Sequence, residues 1–568
     1  MKREELMKKK VFIIALDGAD YNLTKSMLPR MPNLNKLVQQ GISLKLGTTT
    51  PNISPTAWAS FMTGTLPAKH RILDFTSRDN KGNPVDFSLL RGNTLWKILS
   101  DADKKVVVFN VPVTFPPEKV NGILISGFPV PTGAKNYTYP QSVAGELGKQ
   151  GWDFSDVPTQ SYSSRMLTPF LADLIKRLSQ RTNATLSMME KYPWDFFMVH
   201  FMETDKILHE FLNFTRRDLV SRKDYKNYKT TVEDFFCCLD EHLGKILERL
   251  GEEVNVIVVS DHGFSPCRQS FYTNTWLLEK GYLKLKSDLL TKFKYALFKT
   301  FLSPIHLYNY LPDRVKRRIR KHVDEKYYQD SKQTKPLARF LQFLVSFTLK
   351  SFLLSKNDID WDKTTAYPIG NAAITEIFVN RDVVPNPEQV LAELKLDLQK
   401  LIDPMGNKPL FNRIVSGRDA FGENDDLADL VAFDYNFETI SINHFLFLSN
   451  RCLTKNFWFP NRASHNMEGI FIASGPDFVK GIIPPPHENL EQVHIIDCAP
   501  TILHLFGLSV PNRMDGKVKK EIFTPGTEAA NSDVKIDTMS TVSDKKEFSW
   551  EEDEEREVKD RLREMGYL

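Results

Sequence analysis

Aspartate and histidine residues recur in this 568-residue chain close to the ends of short apolar runs. Asp17 follows VFIIAL at 11–16, and the pair Asp261 and His262 follows VIVVS at 256–260. Carboxylates and imidazoles are the side chains that hold zinc and similar divalent metals in proteins. We consider six residues to be candidate metal ligands: Asp17, Asp205, His209, Asp261, His262 and His465.

The spacing of these residues is compatible with shared metal ions. Asp205 and His209 are four residues apart, so a helix beginning there would carry both side chains on one face. The adjacent Asp261 and His262 can reach one ion if the backbone departs from regular pleating. Two divalent cations about 4 Å apart suit phosphate ester cleavage, because one activates the attacking oxygen and the other takes the leaving oxygen. The whole set predicts such a centre, whereas a single strand-end aspartate is often only a helix cap.

Short apolar runs predict the strands that would position these side chains. They lie at 11–16, 106–109, 196–201, 256–260 and 469–474, and helical stretches separate them. Strands that alternate with helices indicate a mainly parallel sheet with helices on both faces, a three-layer α/β sandwich. Ligands of such sheets bind outside the carboxyl ends of the strands, where the candidate residues fall.

The order of the motifs resembles a known family. LDG, SPTAWASFMTG, D-x-x-x-H, SDHG and a histidine before GIFIASGP follow one another, as in the type I phosphodiesterase and nucleotide pyrophosphatase branch of the alkaline phosphatase superfamily. The resemblance spans about residues 9–515, outside most of an insertion. It implies an alkaline phosphatase-like fold and two divalent metals. Zinc suits the ligand set, and manganese would use similar ligands.

The resemblance also implies a role for each candidate. Asp205, His209 and His465 would hold the first metal, and Asp17, Asp261 and His262 the second, together with the nucleophile. The family's nucleophile lies ten residues before the glycine of a Thr-Gly pair, which selects Ser54 when counted from Gly64. Thr56 is the rival. A helix over 57–62 would place Ser54 near a helix N-terminus, where backbone N–H groups favour anions.

The resemblance therefore predicts a metal-dependent hydrolase of phosphate esters, a phosphodiesterase or phosphomonoesterase that forms a phosphoserine. The alternatives are a phosphotransferase with an alcohol acceptor and a metal-binding scaffold protein without turnover. The substrate stays open, as a small or a lipid- or glycan-linked phosphate ester. Nucleotide pyrophosphatases usually carry Asn three residues after the nucleophile, and this chain has Ala57 there. We expect the next residue, Trp58, to pack in the core.

Composition limits the remaining possibilities. A net charge of +4 with both signs intermixed gives no reason to expect nucleic-acid binding. Five cysteines, an odd number without a Cys-x-x-Cys pair, favour a reducing compartment. The basic N-terminus is followed by too few apolar residues for a signal peptide, and no run is long enough to cross a membrane. We expect a cytoplasmic protein.

Changes of composition along the chain predict its organisation. We expect a catalytic core at 9–283 and 357–515 and a helical, basic and aromatic insertion at 284–356. The insertion's apolar stretch 337–356 is interrupted by Arg339 and Lys350, which favours packing onto the core over peripheral membrane contact. Residues 524–545 read as a flexible linker, and 546–568 as an acidic helix with Val558, Leu562 and Met565 spaced for docking.

Overall fold

The part of the chain described here comes from a computed structural model. It comprises residues 9–75, 85, 87–131, 134–149, 152, 167–300, 353–369, 374–404, 406–423, 427–434, 438–442, 447–455, 463–481, 493–538 and 552–564. Most of the predicted insertion at 284–356 lies outside these residues. Within them, no helix is both long enough and apolar enough to span a membrane.

Apolar and β-branched residues form the strands. The strands are β1 (Lys10–Leu16), β2 (Ile42–Gly47), β3 (Val106–Val111), β4 (Gly122–Ser126), β5 (Thr138–Tyr139), β6 (Phe196–Phe201), β7 (Val254–Val259), β8 (Gly263–Ser265), β9 (Gln269–Tyr272), β10 (Ala366–Pro368), β11 (Thr375–Val379), β12 (Ile402–Asp403), β13 (Lys408–Pro409), β14 (Phe411–Ser416), β15 (Leu430–Asp434), β16 (Thr439–Ile442), β17 (Leu453–Lys455), β18 (Ser464–Asn466), β19 (Glu468–Ser474), β20 (Val493–His494), β21 (Val510–Pro511) and β22 (Ile536–Asp537). All five runs predicted as strands contribute to this list.

Helices lie between many of these strands along the chain. The helices are α1 (Tyr21–Met27), α2 (Pro32–Gln40), α3 (Ser54–Thr63), α4 (Pro67–His70), α5 (Leu95–Asp101), α6 (Ser142–Lys149), α7 (Leu167–Lys191), α8 (Glu203–Phe211), α9 (Arg222–Tyr228), α10 (Thr231–Leu247), α11 (Thr273–Lys280), α12 (Leu289–Lys299), α13 (Pro387–Gln399), α14 (Gly417–Phe421), α15 (Cys498–Leu505), α16 (Glu528–Asn531) and α17 (Glu552–Glu564).

Nine strands form the central sheet, in the order β20-β2-β19-β7-β1-β6-β3-β4-β5. The middle of the sheet is parallel: β1 pairs with both β6 and β7, and β6 pairs with β3. β19 is antiparallel to both of its neighbours, and β5 is antiparallel to β4. Hence the carboxyl ends of β7, β1 and β6 lie side by side at one edge, where the sequence predicts the site.

Two apolar clusters cover the two faces of this sheet. Along β1, Val11, Ile13 and Ala15 belong to one cluster, together with residues of α3, α5 and α15. The alternate residues Phe12 and Ile14 belong to the other, together with residues of α2, α7, α8 and α10. Successive strand residues point to opposite faces, so both faces are buried under helices. The predicted α/β three-layer sandwich is confirmed.

The second segment of the predicted core, 357–515, contributes to more than one sheet. Among the described residues, the central sheet takes no strand between Val259 and Glu468. Instead, β10, β11, β15 and β14 form a separate antiparallel sheet, and β16, β9 and β17 form another. These strands bury their own apolar cluster with α11, α12 and α13. Apolar patterning alone does not tell which sheet a short strand joins.

The segment predicted as a C-terminal linker contains regular structure. We expected a flexible linker at 524–545, but residues 524–538 contain α16 and β22, and β22 pairs with β21. His504 Nε2 donates to the carbonyl of Ala529 at 2.8 Å, and Ala529 is itself buried. A few buried anchors hold this segment although it lacks regular apolar spacing. In α17, Val558 is buried in the same cluster as α3; Leu562 and Met565 lie outside the described side chains.

Candidate active site

The carboxyl ends of the three central strands bring the predicted aspartates together. Asp17 directly follows β1, Asp205 lies in the first turn of α8 just after β6, and Asp261 lies two residues beyond β7. Each of these side chains is at most 2% exposed. The adjacency of the strands therefore converts three separate sequence motifs into one buried cluster.

One group of ligand atoms comes from α8 and β18. His209 Nε2 is 3.3 Å from Asp205 Oδ1, and His465 Nε2 is 3.5 Å from the same oxygen and 2.9 Å from His209 Nε2. The i, i+4 spacing on α8 places Asp205 and His209 on one face, as the sequence predicts. The His209 side chain is 24% exposed, so solvent reaches the cluster at this residue.

A second group adjoins the first. His262 Nε2 is 3.4 Å from Asp261 Oδ2 and 3.7 Å from Asp17 Oδ1. In each group, the three ligand atoms lie within 4.8 Å of one another. The rings of His262 and His465 stack with their centroids 3.8 Å apart, so the two groups form one continuous site. These are the two sets of three that the family resemblance implies.

The hydroxyl of Ser54 lies at the second group. Ser54 Oγ donates to Asp17 Oδ1 at 3.2 Å and is 3.3 Å from His262 Nε2. Ser54 is the first residue of α3, a ten-residue helix that ends at Gly64 in the left-handed conformation. Thr56 is fully buried, and its hydroxyl has no hydrogen-bond partner among the described residues. Of the two candidate nucleophiles, Ser54 contacts Asp17 and His262, whereas the Thr56 hydroxyl contacts no ligand atom among the described residues.

Comparison with known proteins identifies the family. The sequence model of type I phosphodiesterase/nucleotide pyrophosphatase matches residues 11–341, more than half of the chain. The chain belongs to this family. A comparison with curated protein sequences found no significant match. The family assignment confirms the resemblance read from the motifs.

The solved structures that the chain matches over most of its length include the following two. Murine ectonucleotide pyrophosphatase/phosphodiesterase 5, inactive and in complex with AMP, has 12% identity and a TM-score of 0.45, with 91% of this chain and 100% of that chain covered. Phosphonoacetate hydrolase from Sinorhizobium meliloti 1021 in complex with phosphonoacetate has 13% identity and a TM-score of 0.49, with 87% and 94% covered.

In each of the three clustered aspartates of this type I phosphodiesterase family member, one carboxylate oxygen accepts a hydrogen bond from a neighbouring group, which we call a tether. Asp17 Oδ2 accepts from His200 Nε2 at 2.8 Å and from Trp58 Nε1 at 3.1 Å. The other two tethers are Lys206 Nζ on Asp205 Oδ2 and the Gly18 backbone N–H on Asp261 Oδ1, both at 3.0 Å. The second oxygens of Asp205 and Asp261 are buried without a hydrogen-bond partner among the described residues. Buried bare carboxylate oxygens are costly, which makes them suitable cation ligands.

The tethers also set the charge of the aspartates. Burial raises the pKa of Asp17, but the hydrogen bond from His200 and the nearby imidazoles outweigh burial, and the pKa lies below its ordinary value. The pKa of Asp205 lies well below its usual range, because the Lys206 ammonium and His209 outweigh burial. Burial and the adjacent Asp17 carboxylate instead raise the pKa of Asp261 well above its usual range. A bound cation would offset the repulsion between Asp17 and Asp261.

The imidazoles present their Nε2 atoms to the centre. His465 Nδ1 donates to the backbone carbonyl of Asn52 at 2.9 Å, and His262 Nδ1 to that of Gly263 at 3.2 Å. A carbonyl only accepts, so in the neutral rings the Nε2 atoms carry the lone pair. Burial lowers the pKa of His209 to about 4 and lowers the pKa of His262 and His465 as well. Neutral imidazoles beside carboxylates are the donor set that zinc and manganese bind.

The sequence did not reveal the tethering residues. Trp58 is fully buried, as expected of a core residue, but its indole N–H also holds Asp17. Its ring contacts that of His200 edge to face, with centroids 5.0 Å apart. The only signal for His200 is a histidine inside the otherwise apolar strand β6. A buried polar residue in such a strand needs a partner, and this signal does not say which one.

Proposed function

We propose that this chain is a two-metal phosphoric ester hydrolase in which Ser54 forms a covalent phosphoserine. The family supports hydrolysis of phosphoric esters as the activity. The observation that carries the finer proposal is the contact of the Ser54 hydroxyl with Asp17 and His262, two members of the second group of ligand atoms. A nucleophile at one of two adjoining cation sites suits double displacement at phosphorus.

The donor set supports two cations. Asp205, His209 and His465 would hold one, and Asp17, Asp261, His262 and the Ser54 oxygen the other. When bound, the ions would supply positive charge to the phosphoryl oxygens and lower the pKa of coordinated hydroxyl groups. The two buried aspartate oxygens without hydrogen-bond partners and the Nε2 lone pairs support this assignment. Zinc fits these ligands, with manganese as the alternative.

The chain's own residues supply the nucleophile and its orientation. Asp17 accepts a hydrogen bond from Ser54 and so holds its hydroxyl at the second group of ligand atoms. No side chain of the described residues caps the N-terminus of α3, although Pro55 in its first turn has no N–H, and a helix N-terminus favours an anionic phosphoryl group. Ser54 Oγ loses its proton and bonds to phosphorus, while the bond from phosphorus to the ester oxygen breaks. That ester oxygen takes up a proton and leaves as the alcohol. Water then attacks the phosphoserine, which releases the phosphate product and restores the hydroxyl.

The test compares the two hydroxyls of α3. With zinc or manganese supplied, we expect wild-type protein to cleave nitrophenyl phosphate mono- or diesters, and mass spectrometry of acid-quenched samples to find the phosphoryl group on Ser54. Ser54→Ala removes both signals. Thr56→Val is the matched control: it keeps the shape of a side chain whose hydroxyl has no partner, and we expect full activity.

Chelation should abolish cleavage, and added zinc or manganese should restore it. Analysis of products formed with an added alcohol separates hydrolysis from transfer to that alcohol. Activity that survives Ser54→Ala but disappears in Thr56→Val would refute the assignment of the nucleophile. Fewer than two bound ions per chain after metal supplementation would refute the two-metal proposal.

A further inference from the structure

The side chain of Asn52, two residues before Ser54, is buried without a partner. It is 0% exposed, and neither its amide nitrogen nor its amide oxygen has a hydrogen-bond partner among the described residues. No other described side chain leaves two buried polar atoms unpaired. Buried polar groups are normally hydrogen-bonded, since a lost partner costs free energy.

The local backbone places Asn52 beside the nucleophile. Ile53 is extended, with φ −127° and ψ 150°. Side chains two residues apart along extended backbone point to the same side, so the Asn52 amide and the Ser54 hydroxyl share a side of the chain. The backbone carbonyl of Asn52 also accepts from His465 Nδ1 at 2.9 Å, which fixes this residue against a candidate metal ligand.

We propose that the Asn52 amide donates a hydrogen bond to a phosphoryl oxygen of the substrate and holds that group for attack by Ser54. The inference rests on the proposed function and adds a residue that contacts the substrate. An anionic tetrahedral group above the first turn of α3 would lie on the Ser54 side of the backbone, where the amide N–H needs an acceptor. The amide nitrogen of Asn52 then has an acceptor only in the substrate complex.

If Asn52 contacts the substrate, its replacement should weaken phosphate binding without lowering the stability of the fold. Asn52→Leu keeps the approximate shape of the side chain and removes two unpaired polar atoms, so the unfolding midpoint of the phosphate-free protein should stay the same or rise. The same variant should bind phosphate about tenfold or more weakly, because a hydrogen bond to an anion is lost. A structural asparagine would show the opposite pattern.

Asn255 provides the matched control. It is also 0% exposed, but its amide nitrogen donates to Asp477 Oδ2 at 2.8 Å, and its amide oxygen accepts from the Asp477 N–H at 3.1 Å. It lies near the start of β7, at the opposite end of that strand from Asp261. Asn255→Leu should lower the unfolding midpoint and leave phosphate affinity unchanged.

The experiment measures inorganic phosphate binding by calorimetry on the metal-supplemented full chain, together with thermal unfolding. Wild-type phosphate affinity in Asn52→Leu would overturn the inference, as would a midpoint lowered as far as in Asn255→Leu. Asn52→Ala serves as a second variant if leucine is not accommodated, and it too should weaken phosphate binding. Failure of the proposed function is seen separately, since wild-type protein would then form no phosphoserine and bind no metal.

Discussion

Replacing Trp58 by phenylalanine tests whether the tether on Asp17 supports metal binding. The change keeps an aromatic ring in the buried position but removes the indole N–H, which lies 3.1 Å from Asp17 Oδ2. Since Trp58 is one helical turn after Ser54, this bond also ties α3 to the end of β1. We expect Asp17 to be held less firmly, so that metal affinity falls.

The expected loss of metal affinity depends on the hydrogen bonds that Asp17 Oδ2 keeps in the variant. A hydrogen bond to a charged group contributes about 1.5–3 kcal/mol. His200 still donates to Asp17 Oδ2 at 2.8 Å in the variant, so that oxygen is not left bare. We therefore expect the lower end, about 1.5 kcal/mol, which corresponds to about tenfold weaker metal binding. The smaller ring also leaves a cavity, which lowers stability by a separate amount.

Trp96 provides a control that has the same chemistry away from the site. It is 1% exposed, and its Nε1 donates to Glu118 Oε1 at 2.7 Å, an oxygen that also accepts from Thr94. Trp96→Phe thus loses the same ring volume and the same type of bond. Metal affinity is measured by calorimetric titration of metal-free protein, and stability by its thermal unfolding. Both variants should lose stability, but only Trp58→Phe should lose metal affinity.

Two outcomes would contradict a role of the Trp58 indole in metal binding. If Trp58→Phe and Trp96→Phe both bind metal as tightly as wild type, the indole bond does not position Asp17. If both variants lose metal affinity equally, the effect comes from general loosening of the fold. Titration with cobalt(II) adds a check independent of turnover, because the visible absorption of the bound ion reports ligand geometry. We expect altered bands only in Trp58→Phe.

Two further predictions concern groups outside the ligand set. Burial lowers the pKa of His70 to about 3 from an ordinary 6.5. The unfolded chain therefore takes up a proton that the native state refuses, and stability is lost as the pH falls from 6.5 towards 3. At pH 5 this lowers the free energy of unfolding by about 2 kcal/mol. His70→Gln should therefore reduce the difference between the free energies of unfolding measured in urea at pH 7.5 and at pH 5. A variant as acid-sensitive as wild type would contradict this assignment. Arg181 and Glu203 form a buried ion pair with three hydrogen bonds, and both side chains are 3% exposed. Arg181→Met alone should lower the free energy of unfolding in urea by about 3–5 kcal/mol, and adding Glu203→Met should recover most of this loss. A double variant that is as unstable as Arg181→Met would show that the pair is not coupled.

The sequence predicted the framework of the site because that framework depends on local patterns. Apolar runs buried on both faces mark β1, β6 and β7, and polar residues just after them must lie at the carboxyl edge of a parallel sheet. The four-residue spacing of Asp205 and His209 needs only a helix to become one ligand group. The position of Ser54 came from motif spacing, and its contact with Asp17 is consistent with that assignment.

The contacts between distant elements could not be predicted in the same way. The bond from Trp58 to Asp17 joins α3 to β1 and spans 41 residues, and that from His200 spans 183. Such pairs depend on the packing of whole elements, which no local periodicity encodes. The same holds for β11 and β15, whose short apolar runs join a separate sheet. Residues 524–538 illustrate the reverse case, where polar composition suggested a linker but a few buried residues hold the segment.

Gly18 shows how a motif read only as a pattern has a physical cause. Its φ of +70° lies in the left-handed region, and a Cβ there would come within 2.4 Å of the Phe264 ring. Its N–H holds Asp261 Oδ1 at 3.0 Å, while Asp261 Oδ2 remains bare towards the site. Any side chain at this position would strain the turn and displace that N–H. The glycine of LDG therefore orients an aspartate 243 residues away, which lies in the same group of ligand atoms as Asp17.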